Sequence, residues 1–146
     1  MAMYALGVLP LIRNLKEFTV QQVWYADDAA ALGKLQQLRT WWDRLTSDGP
    51  LYGYFVNPSK SWLLVKPEFI DAANSIFKDT DINFTSEGHR YLGSPIGSDE
   101  FSTSFIQNKV SEWVSQLMRL ADIANSQPHA VYSSLTHGLF SKFTFL

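Results

Sequence analysis

Two adjacent aspartates, Asp27 and Asp28, stand directly behind the β-branched and aromatic run Thr19 to Tyr25 (TVQQVWY). A run of that composition reads as a strand. Two carboxylates at the end of a strand are costly to bury without partners. One solution is a helix cap, because aspartates before a helix serve as N-cap and first-turn acids. Ala31, Leu35, Leu38, Trp42 and Leu45 recur at steps of four and three and predict an amphipathic helix over 32–47. The other solution is a divalent cation. Hard oxygen ligands suit magnesium, which takes one or two carboxylates and completes its shell with water and phosphate. Two such ions ~3.5–4 Å apart can clamp an in-line phosphoryl transfer. Successive strand residues face opposite ways, so one Asp of the pair faces the metal and a second full ligand must come from another strand.

The remaining pattern predicts an α+β chain. Met1 to Ile12 is almost wholly apolar and reads as a buried helix strained or ended near Pro10. Asp48-Gly49-Pro50 stops the helix over 32–47. Leu51 to Val56 and Ser61 to Val65 read as a hairpin around Asn57-Pro58-Ser59-Lys60. Pro67 and Glu68 open a second helix, over 67–78, with Phe69, Ile70, Ala73, Ile76 and Phe77 on its apolar face. The helices over 32–47 and 67–78 are expected to cover one face of a small antiparallel sheet. Asp27 and Asp28 lie on the other face. Ile82 to Phe84 and Arg90 to Leu92 read as a further strand pair. From Ser102 a long helix carries Ile106, Val110, Trp113, Leu117, Leu120 and Ala124 on one face. Asn125 to Pro128 breaks it, and a last helical segment runs from about His129 to Phe140.

Composition narrows the chemistry. With no cysteine, disulfide scaffolds, zinc ribbons and cysteine nucleophiles are excluded. The three histidines, His89, His129 and His137, are too scattered for a metal site. A net charge of −2 argues against a free-standing nucleic-acid binder, which is normally basic. At 46% hydrophobic the 146 residues can build a core and are not intrinsically disordered. The apolar N-terminus is shorter than the ~20 residues needed to span a bilayer. It also lacks the positive start of a signal peptide. An intracellular protein, in cytoplasm or nucleus and without membrane contact, is expected. Trp24, Trp41, Trp42, Trp62 and Trp113 could stack on bases, but at strand or helix spacing Trp42 and Trp113 read as core, with Trp41 open.

Tyr25-Ala26-Asp27-Asp28 behind a hydrophobic strand resembles the metal-binding hairpin of reverse transcriptases. Gly53-Tyr54 through Asn57-Pro58-Ser59-Lys60-Ser61 resembles the Gly, Asn and Lys block that follows in non-LTR retrotransposon polymerases. Tyr91-Leu92-Gly93, with Ile96 and Gly97, resembles their primer-grip hairpin. The resemblance is strongest from Thr19 to Gly97. It implies a partial polymerase palm over 1–98 followed by the start of a helical thumb over 99–146. It implies that Asp27 is a magnesium ligand and Asp28 its less directly coordinating neighbour. Tyr25 and Ala26 would line the floor under the primer end and the incoming nucleotide, with Asn57 in the same nucleotide- and primer-binding set. Lys60 would act near the triphosphate, where it could donate a proton or charge to departing pyrophosphate; a solvated turn lysine is the plain alternative. Tyr91, Leu92 and Gly93 would hold the primer, or else form an ordinary strand end. The implied partners are an RNA template, a DNA primer and a deoxynucleoside triphosphate.

The chain also departs from the family. The family has a further catalytic Asp on an earlier palm strand, and no matching strand Asp precedes Thr19. The fingers are absent, and the thumb stops at Phe145-Leu146. The expectation is a fragment with an incomplete two-ion site, inactive by itself and prone to self-association through unpaired strand edges. A decayed or domesticated palm–thumb remnant acting as a binding or scaffold module is the alternative, and an unrelated α+β domain a third.

Overall fold

The computed structural model describes residues 2–16 and 20–143. Thr19, expected to open the first strand, lies outside the described residues, as do Met1 and the expected thumb end at Phe145-Leu146. The chain is mixed helix and small two-stranded sheets, divided into two compact units, residues 1–84 and 85–146.

In the first unit, helix α1 (Ala2–Asn14) buries Val8 and Leu11, and Leu15 just beyond it is buried too; this stripe recurs at three and four residues. The expected buried helix, strained or ended near Pro10, is corrected on two points. Met3 and Leu6 are exposed, and the helix runs through Pro10. Pro10 sits on the exposed side, where solvent can satisfy the carbonyl its missing N–H leaves free.

Strand β1 (Gln21–Tyr25) pairs antiparallel with β2 (Asp28–Leu32), with Trp24 opposite Ala29 and Tyr25 opposite Asp28. The second strand replaces the expected start of the helix: α2 begins only at Leu35 and ends at Asp48. Residues 28–32 are helix formers by composition. Ala29 and Ala31, however, supply the small inward side chains that let Trp24 and Gln22 of the paired strand sit against the helices. The core of this unit joins Leu11, Leu15, Val20, Trp41 and Leu45. Trp41 is therefore the core tryptophan of α2, and the expectation that Trp42 fills that place is corrected. One face of the β1–β2 hairpin is covered by α1 and α2, while α3 lies against α2.

The expected hairpin of 51–56 with 61–65 does not form. Gly49–Tyr52 and Pro58–Lys60 are 3-10 turns, and β3 (Trp62–Leu64) pairs with β4 (Asn83–Thr85). Gly49 explains the first of these turns. A Cβ there would stand 2.6 Å from the Tyr54 carbonyl oxygen, and the Tyr54 N–H donates to the Gly49 carbonyl at 3.0 Å. That close return curls the segment out of any strand. Pro67–Phe69 form a 3-10 turn that leads into α3 (Ile70–Ile76), as the Pro67-Glu68 start signal predicts. Ala73, Phe77 and Ile82 are buried, with the Phe84 ring edge-on to Phe77 at 6.4 Å.

In the second unit, β5 (Gly88–Tyr91) pairs with β6 (Ser94–Gly97) and not with residues 82–84. The loop is Leu92-Gly93, both with positive φ (48° and 94°), the two-residue turn that matches strand twist. Helix α4 (Asp99–Ala124) starts at Ser98, whose hydroxyl accepts from the Phe101 N–H at 3.1 Å. Its covered face runs through Phe101, Phe105, Lys109, Trp113, Gln116 and Leu120. The expected stripe is corrected: Trp113 is buried, but Ile106, Val110 and Leu117 are exposed. The break at 125–127 is followed by α5 (Pro128–Ser133), a π-helical turn (Ser134–Leu139) and α6 (Phe140–Phe143).

Candidate metal-binding hairpin

The loop between β1 and β2 is the two-residue turn Ala26-Asp27. Ala26 has φ 54°, a conformation that suits glycine and costs a residue with a Cβ on the order of 1 kcal/mol or more. Side chains alternate along the strands. Gln22 and Trp24 point into the core, while Val23 and Tyr25, both 60% exposed, share the outer face with Asp28. Asp27 is exposed at the turn itself.

This geometry removes the helix-cap reading of the acid pair. Asp28 begins a strand, and the N-cap of α2 is Lys34, so neither aspartate caps a helix. Among the described residues, neither carboxylate has a Lys or Arg partner within ion-pair distance. Nearby, the Tyr4 phenol is held above its ordinary value of 10, first by burial and then by the negative charge of Asp27.

The turn is anchored from beneath. The Gln22 side-chain oxygen accepts from the indole N–H of Trp24 at 3.2 Å and of Trp41 at 3.1 Å. Its amide donates to the Ile12 carbonyl at 2.9 Å. One polar side chain thus joins β1 to α1 and α2. From the loop after α2, the Tyr54 hydroxyl donates to the Asp27 carbonyl oxygen at 3.1 Å. The Tyr54 ring stands edge-on to Trp24 with centroids 5.3 Å apart. The inward place of Gln22 follows from its alternation with Trp24, a signal present in the sequence. The Tyr54 contact spans 27 positions and has no local signature.

Asn57 and Lys60 lie in the Pro58–Lys60 turn, with the Lys60 N–H on the Asn57 carbonyl at 3.2 Å. The Asn57 side chain accepts from the Ser59 hydroxyl at 2.8 Å. Both residues are exposed, and the Lys60 ammonium has no hydrogen-bond or ion-pair partner among the described residues. Tyr25, Ala26, Asp27 and Asp28 thus share one turn, while Asn57 and Lys60 share another in the same unit.

Tyr91, Leu92 and Gly93 belong to the second unit. Leu92 and Gly93 form one wall of a cleft of about 410 Å³ lined also by Arg90, Phe105, Lys109, Trp113 and Lys142. Its single carboxylate, Glu112, binds Lys109 at 3.0 Å, which holds that carboxyl below its usual range. Gln116 bridges Glu112 and Lys142, at 3.3 and 2.9 Å. Three cations face one acid here, in a chain whose net charge is −2.

The donor chemistry of the hairpin fits one hard cation. Two neighbouring carboxylates at an exposed turn match what magnesium takes from protein, with water and phosphate completing the shell. Among the described residues, no group of three or more His, Asp or Glu side chains is arranged around one point. Also among them, no helix is long and apolar enough to cross a membrane. Compared with protein-family models, with curated proteins and with solved structures, the chain finds no match.

Proposed function

We propose that this chain is a palm-and-thumb piece of a retroelement RNA-directed DNA polymerase, whose hairpin acids hold magnesium. The observation that carries the reading is the acid pair itself, exposed on a strained two-residue turn with no basic partner among the described residues. Such a pair has no capping role to explain it, and a cation would neutralise its two adjacent charges. Bound there, magnesium supplies charge stabilisation to a phosphoryl group. The chain's own contribution is to hold Asp27 and Asp28 at a fixed turn and to present Tyr25 and Ala26 beside them. In the polymerase of which the chain would be a piece, Lys60 would lie near the triphosphate as a cation for departing pyrophosphate. Tyr91, Leu92 and Gly93 hold the primer strand, supported by the cations of the adjacent cleft. A two-ion site needs a further carboxylate, so the chain binds a template–primer without extending it. Unpaired edges of two-stranded sheets favour self-association of the isolated chain.

The test measures anisotropy of a labelled RNA template–DNA primer with the chain, with and without magnesium, alongside primer extension. Magnesium-dependent tightening that vanishes in Asp27→Ala, without extension, is the expected result. Absence of binding overturns the reading. A second reading, a non-catalytic binding module, is favoured by the basic cleft; it predicts binding that ignores both magnesium and Asp27.

A further inference from the structure

We propose that Tyr54 is a positioning residue for the metal-binding acid pair, acting through the peptide that joins Asp27 to Asp28. The inference rests on the reading of that pair as a cation site. The carbonyl oxygen that Tyr54 holds at 3.1 Å belongs to that peptide unit. With its two Cα atoms placed by the chain, a planar peptide keeps one rotation, about the Cα–Cα axis, and holding its oxygen sets that rotation. The plane sets the direction in which both neighbouring Cα atoms project their carboxylates. Asp28 belongs to the ladder pair with Tyr25, which holds the N–H side of this peptide, while Asp27 lies outside the ladder and Ala26 sits at φ 54°, where a residue with a Cβ is readily lost to other turn geometries, so Tyr54 supplies the hold on the carbonyl side.

Tyr54 is itself well placed to act as a fixed post. Its N–H is bonded to the Gly49 carbonyl at 3.0 Å, and its ring packs edge-on to Trp24, inside the cluster around Trp41 and Leu45. The hydroxyl therefore carries the rigidity of the core to the tip of the hairpin. Residues that orient metal ligands without touching the metal change affinity when lost, even where the fold is untouched.

The test titrates the intact chain with manganese(II) and follows free ion by electron paramagnetic resonance. Tyr54→Phe keeps the ring on Trp24 and removes only the hydroxyl. Loss of one neutral hydrogen bond predicts a roughly three- to tenfold weaker manganese affinity, with the thermal midpoint nearly unchanged. Ala26→Gly relieves the strained φ and should restore most of that affinity in the double variant, while changing the parent chain less. Equal affinity of the parent and Tyr54→Phe overturns the inference while leaving the cation site standing. Failure of the parent chain to bind manganese overturns the cation site itself and the inference with it. Should Tyr54→Phe melt early, an effect of Ala26→Gly that is the same with or without the hydroxyl also overturns the inference.

Discussion

Tyr25 and Asp28 stand opposite each other as the pair that closes the β1–β2 hairpin, so the aromatic ring and the carboxylate share the exposed face. This places the acid at the end of a ladder and not at the start of a helix. Asp27→Ala and Asp28→Ala are therefore expected to leave the metal-free thermal midpoint within ~0.5 kcal/mol of the parent, as for surface changes. A lost cap would instead cost ~0.5–2 kcal/mol. Magnesium should raise the parent's midpoint and not that of either variant. Differential scanning calorimetry of the three proteins, with and without the ion, checks this.

Gly49→Ala is expected to destabilise the first unit by roughly 1–3 kcal/mol, because the added Cβ would meet the Tyr54 carbonyl oxygen at 2.6 Å. The clash is with backbone and cannot be relieved by a side-chain turn. Urea unfolding followed by tryptophan fluorescence reads the change, since Trp24 and Trp41 lie in the affected core.

Arg39 of α2 grips Asp79 beyond α3, with its guanidinium 2.9 Å from one carboxylate oxygen, and also donates to the Ile76 carbonyl at 2.7 Å. The hydrogen bonds from Arg39 lower the Asp79 carboxyl from 3.8 to about 2. A depressed folded value means that the carboxylate's contribution is complete above the unfolded value and is lost as pH falls toward the folded one. The stability difference between the parent and Asp79→Asn should therefore be constant above about pH 5 and shrink between about pH 4 and pH 2. Urea midpoints of both proteins across that range measure it.

The basic cleft predicts a salt-dependent contact with nucleic acid. Arg90→Gln should weaken binding of a single-stranded oligonucleotide to a similar degree for all sequences. It should also flatten the plot of log affinity against log salt by roughly 0.7. Anisotropy at several salt concentrations reads both. A loss confined to one sequence would mean that Arg90 reads bases.

Much of this arrangement is legible in the sequence, and the failures share a cause. The β1 run, the long helix from Ser102, the Pro67 start and the breaks at 48–50 and 125–128 are local signals, and the structure has an element or a break at each. The strand Asp28–Leu32 was hidden because Ala29, Ala30 and Ala31 favour helix in isolation; their extended form depends on pairing with Trp24 and its neighbours. The choice between Trp41 and Trp42 turned on which side of α2 meets Gln22, a tertiary fact. In α4, Phe101, Phe105 and Trp113 set the covered face, while a stripe of aliphatic residues points to solvent. At the candidate site, the acid pair is visible, whereas Tyr54 and Lys142 meet their partners only through the fold.

The proposed function stands on a divalent-cation site at Asp27 and Asp28. Isothermal titration calorimetry of the chain with magnesium reads binding at that site. One saturable site of roughly one ion per chain is expected, abolished in the double variant Asp27→Ala/Asp28→Ala and retained in Asp43→Ala, whose carboxylate is already engaged by Arg39 at 2.8 Å. A parent chain with no saturable heat, or a site that survives in the double variant, would contradict it.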